Sequence, residues 1–178
     1  DALTADDPAG FAVAPAETVF PGDPASVGMK DPVVRIVDGQ WRAWICCHPL
    51  DVPDAEDRMI TGYATSADGL SWDWRRPVLA GRPGRWDARG VRVTAVLADG
   101  RASYDGRASA EENFSERTGI AVPHDGRHGG LRAVGDQPVA DVRYLDVLPL
   151  PAGGYRLYYE APLPDGSHEL RTELVSGP

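Results

Sequence analysis

Residues 31–47 read DPVVRIVDGQWRAWICC, and they carry the clearest sign of a fold class in this sequence. A β-prone run is followed by the pair Asp38-Gly39 and then by a second β-prone run rich in aromatic residues. Because glycine readily takes the positive φ of a tight turn, an Asp-Gly pair between two such runs predicts a β-hairpin. We therefore expect residues 31–37 and 41–47 to form two antiparallel strands.

The same kind of turn recurs along the chain. Further Asp-Gly or Gly-Gly pairs occur at 68–69, 99–100, 105–106, 125–126, 153–154 and 165–166. No convincing amphipathic helix lies between them, and the helix-compatible stretch 108–117 is short and polar. The sequence therefore predicts a nearly all-β protein.

The hairpins also repeat. Each of the turns at 38–39, 99–100 and 153–154 has a β-prone run before it and an aromatic run after it. A third small-residue run follows each hairpin, over 59–65, 117–122 and 169–175. Successive turns are 61 and 54 residues apart. A period of about 50 residues built from hairpins is typical of β-propeller blades, with a β-sandwich as the alternative.

The repeats define an expected domain organisation. Residues 31–178 are predicted to form three blades, at about 31–80, 86–135 and 139–178. Residues 1–30, rich in Pro, Ala, Asp and Gly, are predicted to be a linker or the tail of a preceding blade. Three blades do not close a ring, and an open propeller exposes edge strands. We therefore expect a second chain, or a missing N-terminal segment, to complete the propeller.

Composition excludes some classes of partner. The 178 residues carry a net charge of −9, which repels phosphate backbones, so nucleic acid is not expected as a partner. No apolar run is long enough to span a membrane, so no membrane partner is expected. The adjacent Cys46 and Cys47 would point to opposite faces of a strand, which favours free thiols and a cytoplasmic location. The chain starts at Asp1 without a signal-peptide pattern, so either the mature start lies here or an upstream segment is missing.

Three motifs carry a resemblance to a known group. They are KDPVV at 30–34, DGQW at 38–41 and ATSADGLSW at 64–72. Together they resemble the blade signature of five-bladed β-propeller glycosidases, namely glycoside hydrolase families 43 and 32 with related phosphorylases. Segments 86–87, 113–114 and 116–121 resemble the next blade, so the resemblance covers about 31–175. It implies an all-β propeller that is incomplete in this chain, a carbohydrate ligand, and no cofactor.

Propeller geometry predicts where a ligand would bind. The start of the first strand and the end of the second strand of each blade converge on the channel axis at one face. Such a polar cluster would suit the hydroxyl groups of a sugar. By the repeat alignment, the residues at this face are Asp31, Cys47, His48, Arg92, Asp105, Arg107, Asp141, Arg143 and Glu160.

Glycoside hydrolysis needs two carboxyl groups, one as a proton donor and one as a base or nucleophile. The resemblance implies that Asp31, in its Asp-Pro pair, is the base or a supporting carboxylate. Glu160 or Asp105 is then expected to be the acid. The expected substrate-binding residues are His48, Arg92, Arg107, Asp141 and Arg143.

Several alternatives stay open. Asp31 can equally cap a turn, and Asp105 can belong to a plain Asp-Gly turn. Arg92 and Arg143 lie in apolar strands, where each can pair with an acid as a structural bridge. Gly90-Val91-Arg92-Val93 also stands where those families would offer a catalytic Glu. This departure favours a non-catalytic carbohydrate-binding or scaffold propeller as the alternative function.

No metal site is predicted. The run Cys46-Cys47-His48 lacks the spacing of zinc ligands, and the acidic segment 50–57 lacks the ligand spacing of a calcium loop. Tryptophans can stack on sugars, but their in-strand positions favour a place in the core for most of them. They are Trp41, Trp44, Trp72, Trp74 and Trp86.

Overall fold

The computed structural model describes residues 1–20, 26–124 and 129–177. Over these residues the chain forms one short 3-10 helix, Pro8–Ala12, and eleven strands, which confirms the all-β prediction. The strands are β1 (Val27–Val37), β2 (Gln40–Pro49), β3 (Ile60–Ser66), β4 (Trp72–Leu79), β5 (Gly90–Val96), β6 (Ala102–Arg107), β7 (Arg117–Pro123), β8 (Leu131–Val134), β9 (Arg143–Pro149), β10 (Tyr155–Pro162) and β11 (His168–Val175).

The strands form three antiparallel sheets in which neighbours in the chain are also neighbours in the sheet. The first sheet holds β1 to β4, the second β5 to β8, and the third β9 to β11. The first strand of each sheet lies next to the first strand of a neighbouring sheet, since β5 contacts both β1 and β9. No helix within the described ranges is long and apolar enough to span a membrane.

Most predicted turns join strands. Asp38 and Gly39 connect β1 to β2 with φ values of 52° and 75°, which places both residues in the left-handed region of a tight hairpin. Gly100 and the Gly153-Gly154 pair also have positive φ, between β5 and β6 and between β9 and β10. The predicted turn at 125–126 lies outside the described residues.

The prediction of a turn at Asp105-Gly106 is wrong. Both residues lie inside β6, where Asp105 pairs with Arg92 of β5 and with Thr118 of β7. A Cβ atom on Gly106 would lie 2.8 Å from the side chains of both Trp86 and Asp87. The glycine is therefore there because the chain packs closely at this point, not because the chain reverses.

The corner between β3 and β4 explains the motif at 64–72. Asp68 Oδ1 accepts hydrogen bonds from the backbone N–H groups of Leu70 and Ser71, at 2.9 and 2.7 Å. Those bonds, with one from Ser66, lower the pKa of the Asp68 carboxyl to about 2. Trp72 Nε1 donates to the carbonyl of Gly69 at 2.9 Å, which closes the corner.

The main core lies between the first and second sheets. Trp44 packs on Tyr63 with ring centroids 5.2 Å apart, and Trp86 stacks on Tyr104 at 5.7 Å. Trp44 and Trp86 are buried as predicted, whereas Trp74 is exposed. The third sheet contributes less, because it buries Tyr159 and Ala161 on one face and leaves leucines exposed on β9 and β11.

Candidate functional site

Arg92 is the centre of the site. It lies on β5, is almost fully buried, and its guanidinium binds two carboxylates at once. Nη1 lies 3.0 Å from Asp31 Oδ2, and Nη2 lies 2.6 Å from Asp105 Oδ2. The first strand of the first sheet is thereby joined to the first two strands of the second sheet.

Tyr144 of β9 completes this arrangement from the third sheet. Its ring centroid lies 3.8 Å from the Arg92 guanidinium carbon, and its hydroxyl accepts a hydrogen bond from Arg92 Nη1 at 2.7 Å. Its backbone N–H donates to both oxygens of Asp105 at 3.1 Å. Tyr144 and Asp31 both have left-handed backbones, with φ of 52° and 49°. A left-handed backbone is strained for a residue with a bulky side chain, and residues held in this conformation cluster at functional sites.

A second set of ion pairs continues from the second sheet to the third. Arg107 Nη1 of β6 lies 2.9 Å from Glu116 Oε1, and Glu116 Oε2 lies 3.2 Å from Arg143 Nη1. Arg143 Nε in turn lies 3.0 Å from Glu160 Oε2 of β10. We call these seven residues the central ion-pair cluster: Asp31, Arg92, Asp105, Arg107, Glu116, Arg143 and Glu160.

Exposure divides the carboxylates of the central ion-pair cluster into two classes. The side chains of Asp31 and Glu160 are 34% and 37% exposed, so a ligand can reach them. Those of Asp105 and Glu116 are buried. Burial raises the pKa of the Asp105 carboxyl above its usual value, and the contact with Arg92 offsets part of that rise.

His48 adds an imidazole beside the cluster. Its Nδ1 lies 2.7 Å from the carbonyl oxygen of Glu56, which only accepts, so Nδ1 carries the proton. Its Nε2 is then free to accept from the Cys46 thiol, 3.3 Å away. Burial lowers the pKa of His48, and the nearby charges of Lys30, Arg107 and Arg92 add to that effect.

A cavity of about 380 Å³ opens at Asp31 and Arg92. Tyr144 and residues 32–35 of β1 form other parts of its wall. A larger cavity of about 690 Å³ lies at the opposite ends of the first strands, lined by residues such as Ile36 and Leu97. In the described part of the chain, no group of three or more His, Cys, Asp or Glu side chains is arranged to hold a metal ion.

The structure brings most of the predicted site residues together but not all of them. Asp141 is exposed, it precedes β9, and none of the ion pairs among the described residues involves it. Arg143, two residues later, is the side chain that joins the cluster. Cys47 packs on the outer face of the first sheet with Ile45, and Cys46 lies on the cluster side instead.

Sequence reasoning missed Glu116 and Tyr144 as site residues. Glu116 lies in the loop before β7, outside the strand ends that the repeat alignment selects. The sequence feature that could have identified Glu116 is an acidic residue directly before a β-prone run, with an arginine on a strand to either side of it in the chain. Tyr144 follows Arg143 at the start of β9, and the repeat alignment selected Arg143 rather than Tyr144 as the site residue.

Comparisons with known proteins place this geometry in a familiar fold. No protein-family model matches the sequence, and no curated protein matches it. Among solved structures, a BT0996 RGII complex has a TM-score of 0.68 at 14% identity, over 89% of this chain and 56% of that one. Zg3597, a family 117 glycoside hydrolase produced by the marine bacterium Zobellia galactanivorans, has a TM-score of 0.63 at 18% identity, over 86% and 54%.

A further match is a GH43_1 enzyme from Xanthomonas citri, with a TM-score of 0.59 at 21% identity, over 80% of this chain and 43% of that one. The chain therefore spans about half the length of the solved structures it matches. At these identities the similarity concerns the fold. The predicted resemblance is confirmed at that level: the three sheets are part of a β-propeller of the kind found in glycoside hydrolases.

Proposed function

We propose that this chain carries part of the active site of a carbohydrate-active enzyme that cleaves a glycosidic bond. One observation supports the proposal most. Two part-exposed carboxylates, Asp31 and Glu160, are each held by a buried arginine of the central ion-pair cluster. Glycoside hydrolysis needs two carboxyl groups flanking the scissile bond. Similarity in fold to glycoside hydrolases agrees with this function.

In this proposal Asp31 acts as the base or as a supporting carboxylate. Arg92 fixes one of its oxygens, and the left-handed backbone turns the residue toward the cavity. Holding a carboxylate in place before the substrate arrives lowers the entropy cost of reaching the transition state.

Glu160 is the proposed acid. Its carboxyl group is exposed enough to meet a leaving-group oxygen, and it shares the charge of Arg143 with Glu116. Asp105 has a raised pKa, as an acid would need, but its side chain is fully buried beneath Arg92. We therefore assign Asp105 a supporting role, in which it keeps Arg92 oriented.

The proposal is tested with aryl glycosides. The chain is assayed on 4-nitrophenyl α-L-arabinofuranoside, β-D-xylopyranoside and β-D-mannopyranoside, and sugar binding is followed by saturation-transfer NMR. We expect Asp31→Asn and Glu160→Gln each to lower the rate of nitrophenol release by at least about 100-fold. Glu169→Gln, an exposed β11 carboxylate paired with Arg171, is the matched control and keeps full activity. Full activity in Asp31→Asn would show the proposed mechanism to be wrong.

A carbohydrate-binding propeller without hydrolysis is the second candidate. It is favoured because Gly90-Val91-Arg92-Val93 stands where the resembled families would offer a catalytic Glu, and because each arginine of the central ion-pair cluster is already paired with a carboxylate. Sugar binding without nitrophenol release would support it over hydrolysis.

Completion of the propeller is a separate proposal. Leu148, Leu170 and Leu174 are exposed on strands of the third sheet, in a position to receive another sheet. We propose that a second chain or further polypeptide supplies that sheet. Analytical ultracentrifugation tests this proposal by measuring the mass of the species in solution. A monomer of 19.1 kDa rules out assembly with a second copy of the chain.

A further inference from the structure

Phe114 is an exposed aromatic residue next to the central ion-pair cluster. It lies in the 108–116 loop, which joins β6 to β7, and 64% of the residue is exposed. Its backbone has φ of 70°, a left-handed conformation that bulky residues rarely adopt. An exposed large side chain in a strained conformation is costly, so the structure around it must hold it there.

The loop is held at both ends and in the middle. Glu112 accepts from the backbone N–H of Ala108 at 2.7 Å and from Arg117 Nη2 at 2.9 Å, which ties the start of the loop to its end. On either side of Phe114, Asn113 and Glu116 both accept from Nη1 of the buried Arg107. The backbone that carries Phe114 is therefore held in place before any ligand arrives.

The ring of Phe114 lies over the cluster rather than away from it. The Arg143 guanidinium carbon is 5.8 Å from its centroid and 4.9 Å from that of Tyr144. Arg143 is also the residue that holds Glu160, at 3.0 Å. Arg143 thus lies close both to an exposed aromatic ring and to a part-exposed carboxylate.

From this geometry we infer that Phe114 forms a stacking platform for a sugar ring beside Glu160. The apolar C–H face of a sugar packs on an aromatic ring, while the hydroxyl groups at its edge bind charged side chains such as Arg143 and Glu160. A preorganised platform adds affinity because little conformational freedom is lost on binding. The inference rests on the proposed carbohydrate function and adds a binding residue to it.

The chain has three phenylalanines, which allows a direct test. The full chain is labelled with 4-fluorophenylalanine, and the ¹⁹F resonance of Phe114 is assigned with Phe114→Leu. L-arabinose, D-xylose and D-mannose are the probes, and saturation-transfer NMR reports independently whether each of them binds. We expect the Phe114 resonance to shift on binding, while those of Phe11 and Phe20 stay in place.

Affinity provides the second measurement. Phe114→Ala should weaken sugar binding by about fivefold to tenfold, and Phe114→Tyr should restore it. Phe11→Ala is the matched control, since Phe11 is 50% exposed but lies in the N-terminal 3-10 helix. If a sugar binds, yet the Phe114 resonance stays fixed and Phe114→Ala binds normally, the platform is wrong and the carbohydrate function stands. If none of the three sugars binds, both the carbohydrate function and the stacking platform at Phe114 are wrong.

Discussion

At the scale of single residues, the Arg92–Asp105 ion pair is the feature on which the site depends most. Both side chains are buried, so removing one partner strands a charge in the protein interior. We expect Arg92→Met to lower the free energy of unfolding by about 3–5 kcal/mol, measured by urea denaturation. The double variant Arg92→Met/Asp105→Leu should recover most of that loss, because it leaves no unpaired charge in the interior: Asp31 is part exposed and keeps Lys30 Nζ at 3.7 Å.

Arg101 offers the matched control for this prediction. Its Nε lies 2.6 Å from Asp99 Oδ2, the same distance as in the buried pair, but both side chains are half exposed. Solvent screens such pairs, so Arg101→Met should cost less than about 1 kcal/mol. Equal losses in the two arginine variants would mean that burial does not decide the strength of the Arg92 pair.

His48 predicts a pH dependence of stability. Its pKa is lowered in the folded protein, mainly by burial, so the unfolded chain binds a proton more readily. Its contribution to stability is therefore complete above the unfolded pKa of about 6.5 and is lost as the pH falls through the lower folded value. We expect the melting temperature to fall between pH 7 and pH 5, and to fall less steeply in His48→Gln. A variant with the same slope as the unsubstituted chain would contradict this, and His168→Gln serves as the control.

At the scale of elements, hairpin turns could be predicted from short pairs of residues, but close packing could not. Asp38-Gly39 is a turn because its positive φ values satisfy a local requirement of the backbone. Asp105-Gly106 has the same two letters, yet it lies in a strand because Trp86 packs against it from elsewhere in the chain. The contact between Trp86 and Gly106 joins residues about 20 positions apart in the chain, so the two-residue pattern Asp-Gly alone cannot distinguish a turn from a strand.

Gly106 gives this distinction a measurable form. In Gly106→Ala the added methyl would meet Trp86 and Asp87 at 2.8 Å, so we expect a loss of about 1–3 kcal/mol in the free energy of unfolding. Gly28→Ala is the control on β1, since the nearest atom to its added methyl is His48 Cβ at 3.7 Å, an ordinary contact. Its stability should change by less than about 1 kcal/mol, measured by the same urea denaturation. A neutral Gly106→Ala would show that the strand has room to move.

At the scale of the whole molecule, the repeat of hairpins predicted the propeller and much of its central face. Strand ends at matching positions placed Asp31, Arg92 and Glu160 near one axis. In the structure, Asp31 pairs with Arg92, and Glu160 belongs to the second set of ion pairs, through Arg143. Glu116 could not be found in this way, because it lies in a loop and reaches the axis through Arg107 and Arg143. Which loop residue completes a cluster depends on how two sheets meet, and a repeat alignment does not describe that.

Glu116 therefore makes a prediction about how the sheets hold together. It joins Arg107 of the second sheet to Arg143 of the third, and β11 of the third sheet is largely exposed. Tyr144 adds hydrogen bonds to Arg92 and Asp105, but the third sheet buries few side chains, so we expect it to open before the other two. By hydrogen-exchange mass spectrometry, we expect residues 155–175 to exchange faster than residues 90–107. Glu116→Gln should speed exchange over 143–175 by about tenfold while residues 40–66 stay unchanged. Glu169→Gln, with its exposed carboxylate, should leave every segment as it was. Uniform acceleration across all three sheets in Glu116→Gln would mean instead that the propeller segment opens as one unit.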